Sequence, residues 1–83
     1  MKTNIADEVP WSDSITAYDR EHFTIYCKIL DYCADNASIE EMAERILGID
    51  PVEEPVRARN AVRSYIDRAN WMVTTGSKYL FAD

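Results

Sequence analysis

The sequence contains little of the material from which disulfide frameworks, metal centres and flexible linkers are built. Its 83 residues include two cysteines, two glycines, three prolines and one histidine. Cys27 and Cys33 lie six positions apart in a predicted helix, which separates them by about 9 Å along the axis and places them on different faces, so no disulfide is expected. A single histidine is too few for a histidine-rich zinc site or for a histidine-based catalytic pair. We therefore expect no metal and no cofactor.

Long apolar runs and an excess of basic charge are also absent. The longest apolar stretches span a few residues, far short of the roughly 20 that cross a bilayer, and the first residues hold no apolar signal segment. We expect a cytoplasmic protein with no membrane partner. The 15 Asp and Glu against 9 Lys and Arg give a net charge of −6, which disfavours general affinity for phosphate backbones. Proteins are the expected partners.

The sequence does contain enough apolar material for one small folded domain. A hydrophobic fraction of 47% is too high for a disordered tail, and 83 residues suffice for one small core. Neither a glycine-rich phosphate loop nor a cysteine–histidine cluster accompanies that core, so the sequence predicts a protein that is not an enzyme. We expect the free protein to be a monomer.

The N-terminal part of the chain differs from the rest in its pattern. Residues 1–15 mix acidic and small polar residues with isolated apolar positions, and they predict a flexible N-terminal arm before a domain of residues 16–83. Trp11 could serve either as an anchor of this arm on the domain or as an exposed contact for a partner. Anchoring is favoured, because a large indole in water is unfavourable.

Two helices are predicted in the first half of the domain. The first begins after Thr16, a capping residue, and runs to about Ala34 with apolar residues at three- and four-residue spacing. The second has the clearer start, because Ser38 and Glu41 have the spacing of a capping box. Gly48 is expected to end it, since glycine enters the left-handed conformation without strain.

A third, longer helix is predicted over residues 55–75, ending at Gly76, with an inward stripe that includes Val56 and Val73. Residues 79–81 are expected to fold back as an apolar tail. Two prolines make the segment between the second and third helices a structured turn, longer than the usual three to four residues. The fold class is therefore all-α: a small three-helix domain, an extended-turn helix-turn-helix variant with a short N-terminal arm.

The charges are distributed unevenly along this arrangement. Residues 31–54 hold eight acids and one arginine, a net charge of −7, whereas residues 55–75 hold four arginines and one acid, a net charge of +3. A helix-turn-helix protein that reads DNA places its second helix, its turn and the start of its third helix against phosphates. Carboxylates are concentrated there in this chain, which disfavours DNA binding. The acids in question are Glu40, Glu41, Glu44, Asp50, Glu53 and Glu54.

Four stretches carry a family resemblance when they are taken together and in order. They are residues 15–22 (ITAYDREH), 47–51 (LGIDP), 54–59 (EPVRAR) and 68–72 (RANWM), the last followed by Gly76. Over residues 15–81 the chain resembles the domain of unknown function carried by many proteobacterial integrative and conjugative elements. That family is similar to an extended-turn helix-turn-helix. Its members include activators with an additional N-terminal domain and short antiactivators, and this chain looks most like the QseM-type antiactivators.

The resemblance implies a mechanism of mimicry. The free domain would dock on the N-terminal domain of a transcriptional activator of conjugative transfer, in place of the activator's own helix-turn-helix domain, and so block transcription. A LuxR-class quorum-sensing regulator is a second target that the resemblance suggests. The chain departs from the family pattern at Asn60, where arginine is common, at Tyr65, where histidine is common, and at Ser77, where an aromatic is expected. The first two departures weaken the case for DNA contact.

The docking face is expected on the first helix and the end of the third, away from the acidic turn, because aromatic side chains concentrate binding energy. The candidate residues are Tyr18, His22, Tyr26, Trp71 and Tyr79. Core packing is the alternative for each of them, and for Tyr26 and Trp71 it is at least as well supported.

A DNA-binding transcriptional regulator is the alternative function. It would use the third helix, where Arg57, Arg59 and Arg63 could grip phosphates. The favoured interpretation of these arginines is that they form surface ion pairs with acids such as Glu53 and Glu54.

Overall fold

The computed structural model describes residues 8–76, and over this range the chain is helical with no β-strand. The prediction of a small all-α domain is confirmed. Helix α1 spans Ala17–Glu21, α2 Phe23–Ala34, α3 Ile39–Met42 and α4 Pro55–Trp71. A π-helical turn follows α3 over Ala43–Leu47, and another follows α4 over Met72–Gly76.

The first predicted helix is interrupted, so the prediction of one continuous helix was wrong at His22. Its start is as predicted: Thr16 and Asp19 form a reciprocal capping box, in which Asp19 N–H donates to Thr16 Oγ1 and Thr16 N–H donates to Asp19 Oδ2. His22 leaves the helical conformation, with φ −115° and ψ 18°, and its N–H is shared between the carbonyls of Tyr18 and Asp19. The regular α-helix resumes at Phe23, directly after His22.

The capping residue before α3 and the glycine after its π turn have the conformations that the sequence predicts. Ser38 Oγ accepts a hydrogen bond of 3.0 Å from the Glu41 amide at the start of α3. Gly48 ends the π turn with φ +70°, in the left-handed region that favours glycine. In the turn that follows, the carboxylate of Asp50 accepts hydrogen bonds from the amides of Val52 and Glu53. Residues 48–54 are therefore an ordered extended turn between a short capped helix and a long one.

Helix α4 is the central element, since it packs against α2, α3 and the π turn after α3. Its inward face follows three- and four-residue spacing. The residues buried on it are Ala58, Ala61, Val62, Tyr65, Arg68 and Ala69. Val56 and Val73 were predicted to join this face and are instead 59% and 55% exposed. Val56 precedes the buried Ala58 by two positions, which turns it to the opposite side of a helix with 3.6 residues per turn.

Residues 8–15 lie against α4. Val9 is buried, and its amide donates a hydrogen bond of 2.7 Å to Ser64 Oγ. Over these residues the predicted arm is attached to the domain by a buried side chain and by hydrogen bonds to α4. The predicted apolar tail at residues 79–81 lies outside the described residues.

Candidate functional site

The centre of the molecule holds a buried ion pair between α1 and α4. Arg68 Nε lies 3.0 Å from Asp19 Oδ1, and Arg68 Nη2 lies 2.6 Å from Asp19 Oδ2. Both side chains are completely inaccessible to solvent. The parallel, two-pronged geometry is the strongest that a guanidinium and a carboxylate can form.

Three further polar groups complete this cluster. The Arg68 guanidinium also donates to the backbone carbonyls of Ser12, at 2.7 Å, and Ser14, at 3.0 Å. The Tyr26 hydroxyl donates to Asp19 Oδ1 over 2.7 Å. Every buried polar atom of Arg68, Asp19 and Tyr26 therefore has a partner, which is the condition under which a buried charge is tolerated.

The cluster changes the acidity of two of its members. Burial on its own would raise the pKa of Asp19, but hydrogen bonds from Arg68, the Thr16 amide and Tyr26, with the positive charge of Arg68, lower that pKa to about 2. Burial raises the pKa of the Tyr26 hydroxyl well above its usual value, and the neighbouring Asp19 carboxylate raises it further. Asp19 is therefore ionised and Tyr26 protonated throughout the physiological range.

This pKa predicts a loss of stability in acid. Because Asp19 has a pKa of about 2 in the folded state and 3.8 as an unperturbed group, its contribution is complete above pH 4 and is lost as the pH falls from about 4 to 2. The expected loss in the free energy of unfolding is about 2 kcal/mol. Urea unfolding followed by circular dichroism between pH 2 and pH 6 measures it.

A matched variant separates this effect from general acid denaturation. Asp31→Asn removes an exposed carboxylate on α2 and should leave the slope of stability against pH nearly unchanged. A carbon NMR titration reports the Asp19 carboxyl directly. A midpoint near 4 for that carboxyl would contradict the assigned ion pair.

Two tryptophans cover the buried guanidinium. Arg68 Cζ lies 4.8 Å from the ring centre of Trp11 and 3.9 Å from that of Trp71. The two indoles meet edge to face, with their ring centres 6.1 Å apart. Trp11 thus anchors residues 8–15 to the end of α4, although it is still 56% exposed. This Arg68 cluster joins the N-terminal segment, α1, α2 and α4.

The five aromatic and histidine residues proposed for docking occupy different environments. Tyr26 and His22 are only 1% and 4% exposed, so a partner meets little of either side chain in this conformation. Tyr18 and Trp71 are half-buried. Tyr79 lies outside the described residues. Their partner-binding role stays a prediction, and among the four that lie within residues 8–76 only Tyr18 and Trp71 expose more than a small fraction of their side chains.

Tyr18 and His22 pack on each other across the interruption between α1 and α2. Their rings stack with centres 3.9 Å apart, and His22 Nδ1 donates to the Tyr18 carbonyl over 2.8 Å. The Tyr18 hydroxyl is hydrogen-bonded to the Tyr65 hydroxyl of α4. These contacts make Tyr18 and His22 part of the packing between α1, α2 and α4.

The acidic residues identified in the sequence lie on the surface around α3 and the extended turn. All six are exposed or half-buried. Glu41 and Glu54 form ion pairs, at 3.7 Å with Arg45 and 3.0 Å with Arg57. The predicted surface ion pairing is therefore confirmed for Arg57.

The remaining arginines of α4 behave differently from one another. Arg59 and Arg63 are exposed, and within residues 8–76 neither forms an ion pair. Arg68, the fourth arginine of residues 55–75, is the buried centre of the cluster, because it falls on the inward stripe between Tyr65 and Met72. That position in the stripe is the signal by which the sequence could have identified it.

A small cleft lies between the start of α3, the extended turn and the start of α4. Its volume is about 80 Å³, and it is lined by Ile39, Glu40, Pro51, Pro55, Ala58 and Arg59. Larger depressions elsewhere are open and mostly polar, one beside Tyr32 and Asn36 and one beside Asn60 and Arg63.

Within residues 8–76, no group of His, Cys, Asp and Glu side chains is placed to hold a metal ion. None of the helices described is both long and apolar enough to cross a membrane. No family model and no curated protein matches the chain. The fold and the site together define a small all-α domain with a buried arginine cluster and an acidic extended turn.

Proposed function

We propose that this domain is an antiactivator. It binds a transcriptional activator of conjugative-element transfer by mimicking the activator's own helix-turn-helix domain, docks on the activator's N-terminal domain and so blocks transcription activation. The proposal starts from the family resemblance of residues 15–81. The observation that carries it is the acidic surface on the short helix and extended turn, where a DNA-binding relative would need basic residues.

The charges on this surface favour a protein over DNA. Glu40, Glu44 and Glu53 are exposed and form no ion pair within residues 8–76, whereas the Arg57 guanidinium is paired with Glu54 at 3.0 Å. Phosphates brought to this surface would meet several carboxylates within one Debye length of about 8 Å at physiological salt. Repulsion there keeps the domain from competing for the promoter itself.

Competition sets the affinity that the free domain needs. The activator's own helix-turn-helix domain is tethered to its target, and a short flexible tether gives an effective concentration in the millimolar range. The free domain must therefore bind more tightly than the tethered one or be present in excess. A LuxR-class quorum-sensing regulator is a second candidate target, supported by the resemblance alone.

Fluorescence anisotropy of the labelled N-terminal domain of the activator tests the proposal. The free domain should raise the anisotropy, and the activator's isolated helix-turn-helix domain should displace it. An unrelated helical domain with a net charge near −6 is the control, because simple charge attraction would bind it equally well. Simultaneous binding of both helix-turn-helix domains would contradict mimicry, and an absence of binding would contradict the antiactivator function.

A DNA-binding regulator is the second candidate, because Arg59 and Arg63 are exposed and have no ion-pair partner within residues 8–76. That function predicts binding to promoter DNA that weakens steeply with salt, by about one power of concentration for each phosphate contact. A slope near zero in a salt titration would exclude it.

A further inference from the structure

The outward face of α2 carries a line of apolar side chains, which we call the outer stripe. Its members follow one another at distances of four, three and four residues, and they are Phe23, Cys27, Leu30 and Ala34. At 3.6 residues per turn this spacing places all four within about 60° of arc and along about 16 Å of the helix. Phe23 is 44% exposed, Cys27 and Ala34 are exposed, and Leu30 is half-buried.

The outer stripe is separate from the face of α2 that packs into the domain. On that inner face Tyr26 and Ile29 are buried, and Cys33 Sγ lies 4.0 Å from Met42 Sδ of α3. A surface helix that has already buried one apolar face normally carries polar residues on the opposite face. Helix α2 therefore has more apolar surface than the packing of residues 8–76 uses, and an apolar surface of this kind marks an interaction site.

The location of the outer stripe agrees with mimicry. A helix-turn-helix domain that binds DNA uses its short second helix, its turn and the start of its long third helix. In this protein those elements are α3, the extended turn and the start of α4, which carry the acidic residues. Helix α2 is not one of them, so it can share its outer surface with a DNA-binding domain whose reading surface has the opposite charge.

The spacing of the outer stripe indicates the shape of its partner. Apolar side chains that alternate at four- and three-residue spacing form the seam along which two helices pack, and they also form the anchors of a helix bound to a surface. Phe23 and Leu30 alternate with the smaller Cys27 and Ala34. Larger side chains of a second helix can therefore pack over the two small positions.

The charges beside the outer stripe indicate the chemistry of that second helix. Lys28 and Asp31 are both exposed on one flank of α2, so the complementary helix carries an acid opposite Lys28 and a base opposite Asp31. A second copy of this chain is disfavoured, because it would bring one net charge of −6 against another. The charges favour a different protein with a less negative surface.

We propose that the outer stripe is the docking site for an amphipathic helix of the partner protein. The proposal rests on the antiactivator function and assigns its contact surface to α2. The docking helix belongs to the activator's N-terminal domain, and it presents apolar side chains at three- and four-residue spacing beside one acidic and one basic residue.

The thiol of Cys27 gives a direct test, because it lies within the outer stripe. In the variant Cys33→Ala it is the one remaining thiol of this protein. A saturating amount of the activator's N-terminal domain, with its own thiols already blocked, should slow the reaction of Cys27 with Ellman's reagent by at least about tenfold. Prior alkylation of Cys27 with N-ethylmaleimide should weaken binding. An unchanged reaction rate in the complex would overturn the proposal.

A charged variant tests the same site without chemical labelling. Cys27→Glu should lower the affinity for the activator's N-terminal domain by about 30-fold, because it brings an unpaired carboxylate into an apolar contact. Asn60→Glu is the matched control, since it adds the same charge at an exposed position of α4. The control should change affinity by less than about twofold, and both variants should keep the melting temperature of the original protein.

Hydrogen exchange of the activator's N-terminal domain identifies what covers the outer stripe. The segment protected by this protein should be a helix with apolar residues at three- and four-residue spacing, and protection of a strand or a loop would overturn the proposal. Sedimentation of this protein alone tests the other occupant. A dimer that Cys27→Glu dissociates would show that a second copy covers the outer stripe, and it would also overturn the proposal.

The outcomes separate this proposal from the function on which it rests. If the activator domain binds while Cys27 stays reactive, and if Cys27→Glu and Asn60→Glu bind equally well, the assignment to α2 fails and the antiactivator function stands. If the activator domain does not bind the original protein, the antiactivator function fails and the assignment fails with it.

Discussion

Replacing Arg68 with alanine is expected to lower the free energy of unfolding by about 3 to 5 kcal/mol. The substitution leaves the Asp19 carboxylate buried without its counter-charge and removes the donors that hold the Ser12 and Ser14 carbonyls. A domain of 83 residues has a total stability on the order of 5 kcal/mol, so the variant should be largely unfolded at 37 °C. Urea unfolding at 10 °C, followed by circular dichroism, measures the loss.

Arg57→Ala is the matched control for this prediction. Arg57 lies on the same helix and also pairs with a carboxylate, Glu54, but both side chains are about half exposed. Its removal should change the free energy of unfolding by less than about 1 kcal/mol. The double variant Asp19→Asn/Arg68→Met leaves no buried charge unpaired. Its loss in the free energy of unfolding should therefore be smaller than the sum of the losses of the single variants Asp19→Asn and Arg68→Met. Equal effects of Arg68→Ala and Arg57→Ala would contradict the structure.

The second large effect is expected in the N-terminal segment. The double variant Val9→Ala/Trp11→Ala should lower the free energy of unfolding by about 3 kcal/mol, because it removes a buried side chain and the indole that covers Arg68. An arm with no contact to the domain would give no loss. Thermal melting followed at 222 nm gives the comparison.

Val52→Ala and Phe23→Ala are the controls for this variant. They delete a valine that is 86% exposed and an aromatic side chain that is 44% exposed, respectively. Val52→Ala should change stability by less than about 0.5 kcal/mol, and Phe23→Ala should change it less than the Val9/Trp11 pair does. A melting temperature unaffected by the Val9/Trp11 variant would show that residues 8–15 do not hold to α4 in solution.

The parts of the fold that the sequence predicts correctly depend on local signals. Thr16 and Ser38 cap the amides three residues ahead of them, and Gly48 takes the left-handed conformation that ends the π turn. Pro55 occupies the first turn of α4 as expected. Each of these signals involves residues within one helical turn of one another, so it can be recognised without knowledge of the tertiary fold.

The parts that the sequence does not predict depend on distant contacts. Arg68 meets Asp19, 49 positions earlier, and the Ser12 carbonyl, 56 positions earlier. No periodicity in the sequence encodes such a pairing. An arginine within the buried stripe of α4 nevertheless indicates a partner of opposite charge, because a buried charge must be paired.

The same cluster explains why the predicted docking residues are poorly exposed. Tyr26 is buried and donates a hydrogen bond to Asp19, and His22 stacks on Tyr18 at the interruption between α1 and α2. Aromatic residues in a small domain serve both core and interface, and residue type alone does not separate the two uses.

A two-dimensional amide NMR titration tests the central claim most directly. Labelled protein is titrated once with the N-terminal domain of a conjugative-transfer activator of the proposed class and once with promoter DNA that this activator recognises. Competitive antiactivation predicts shifts with the activator domain, clustered on one face of the protein, and none with DNA at physiological salt. Shifts along residues 55–63 with DNA, and none with the activator domain, would contradict it and identify a DNA-binding regulator.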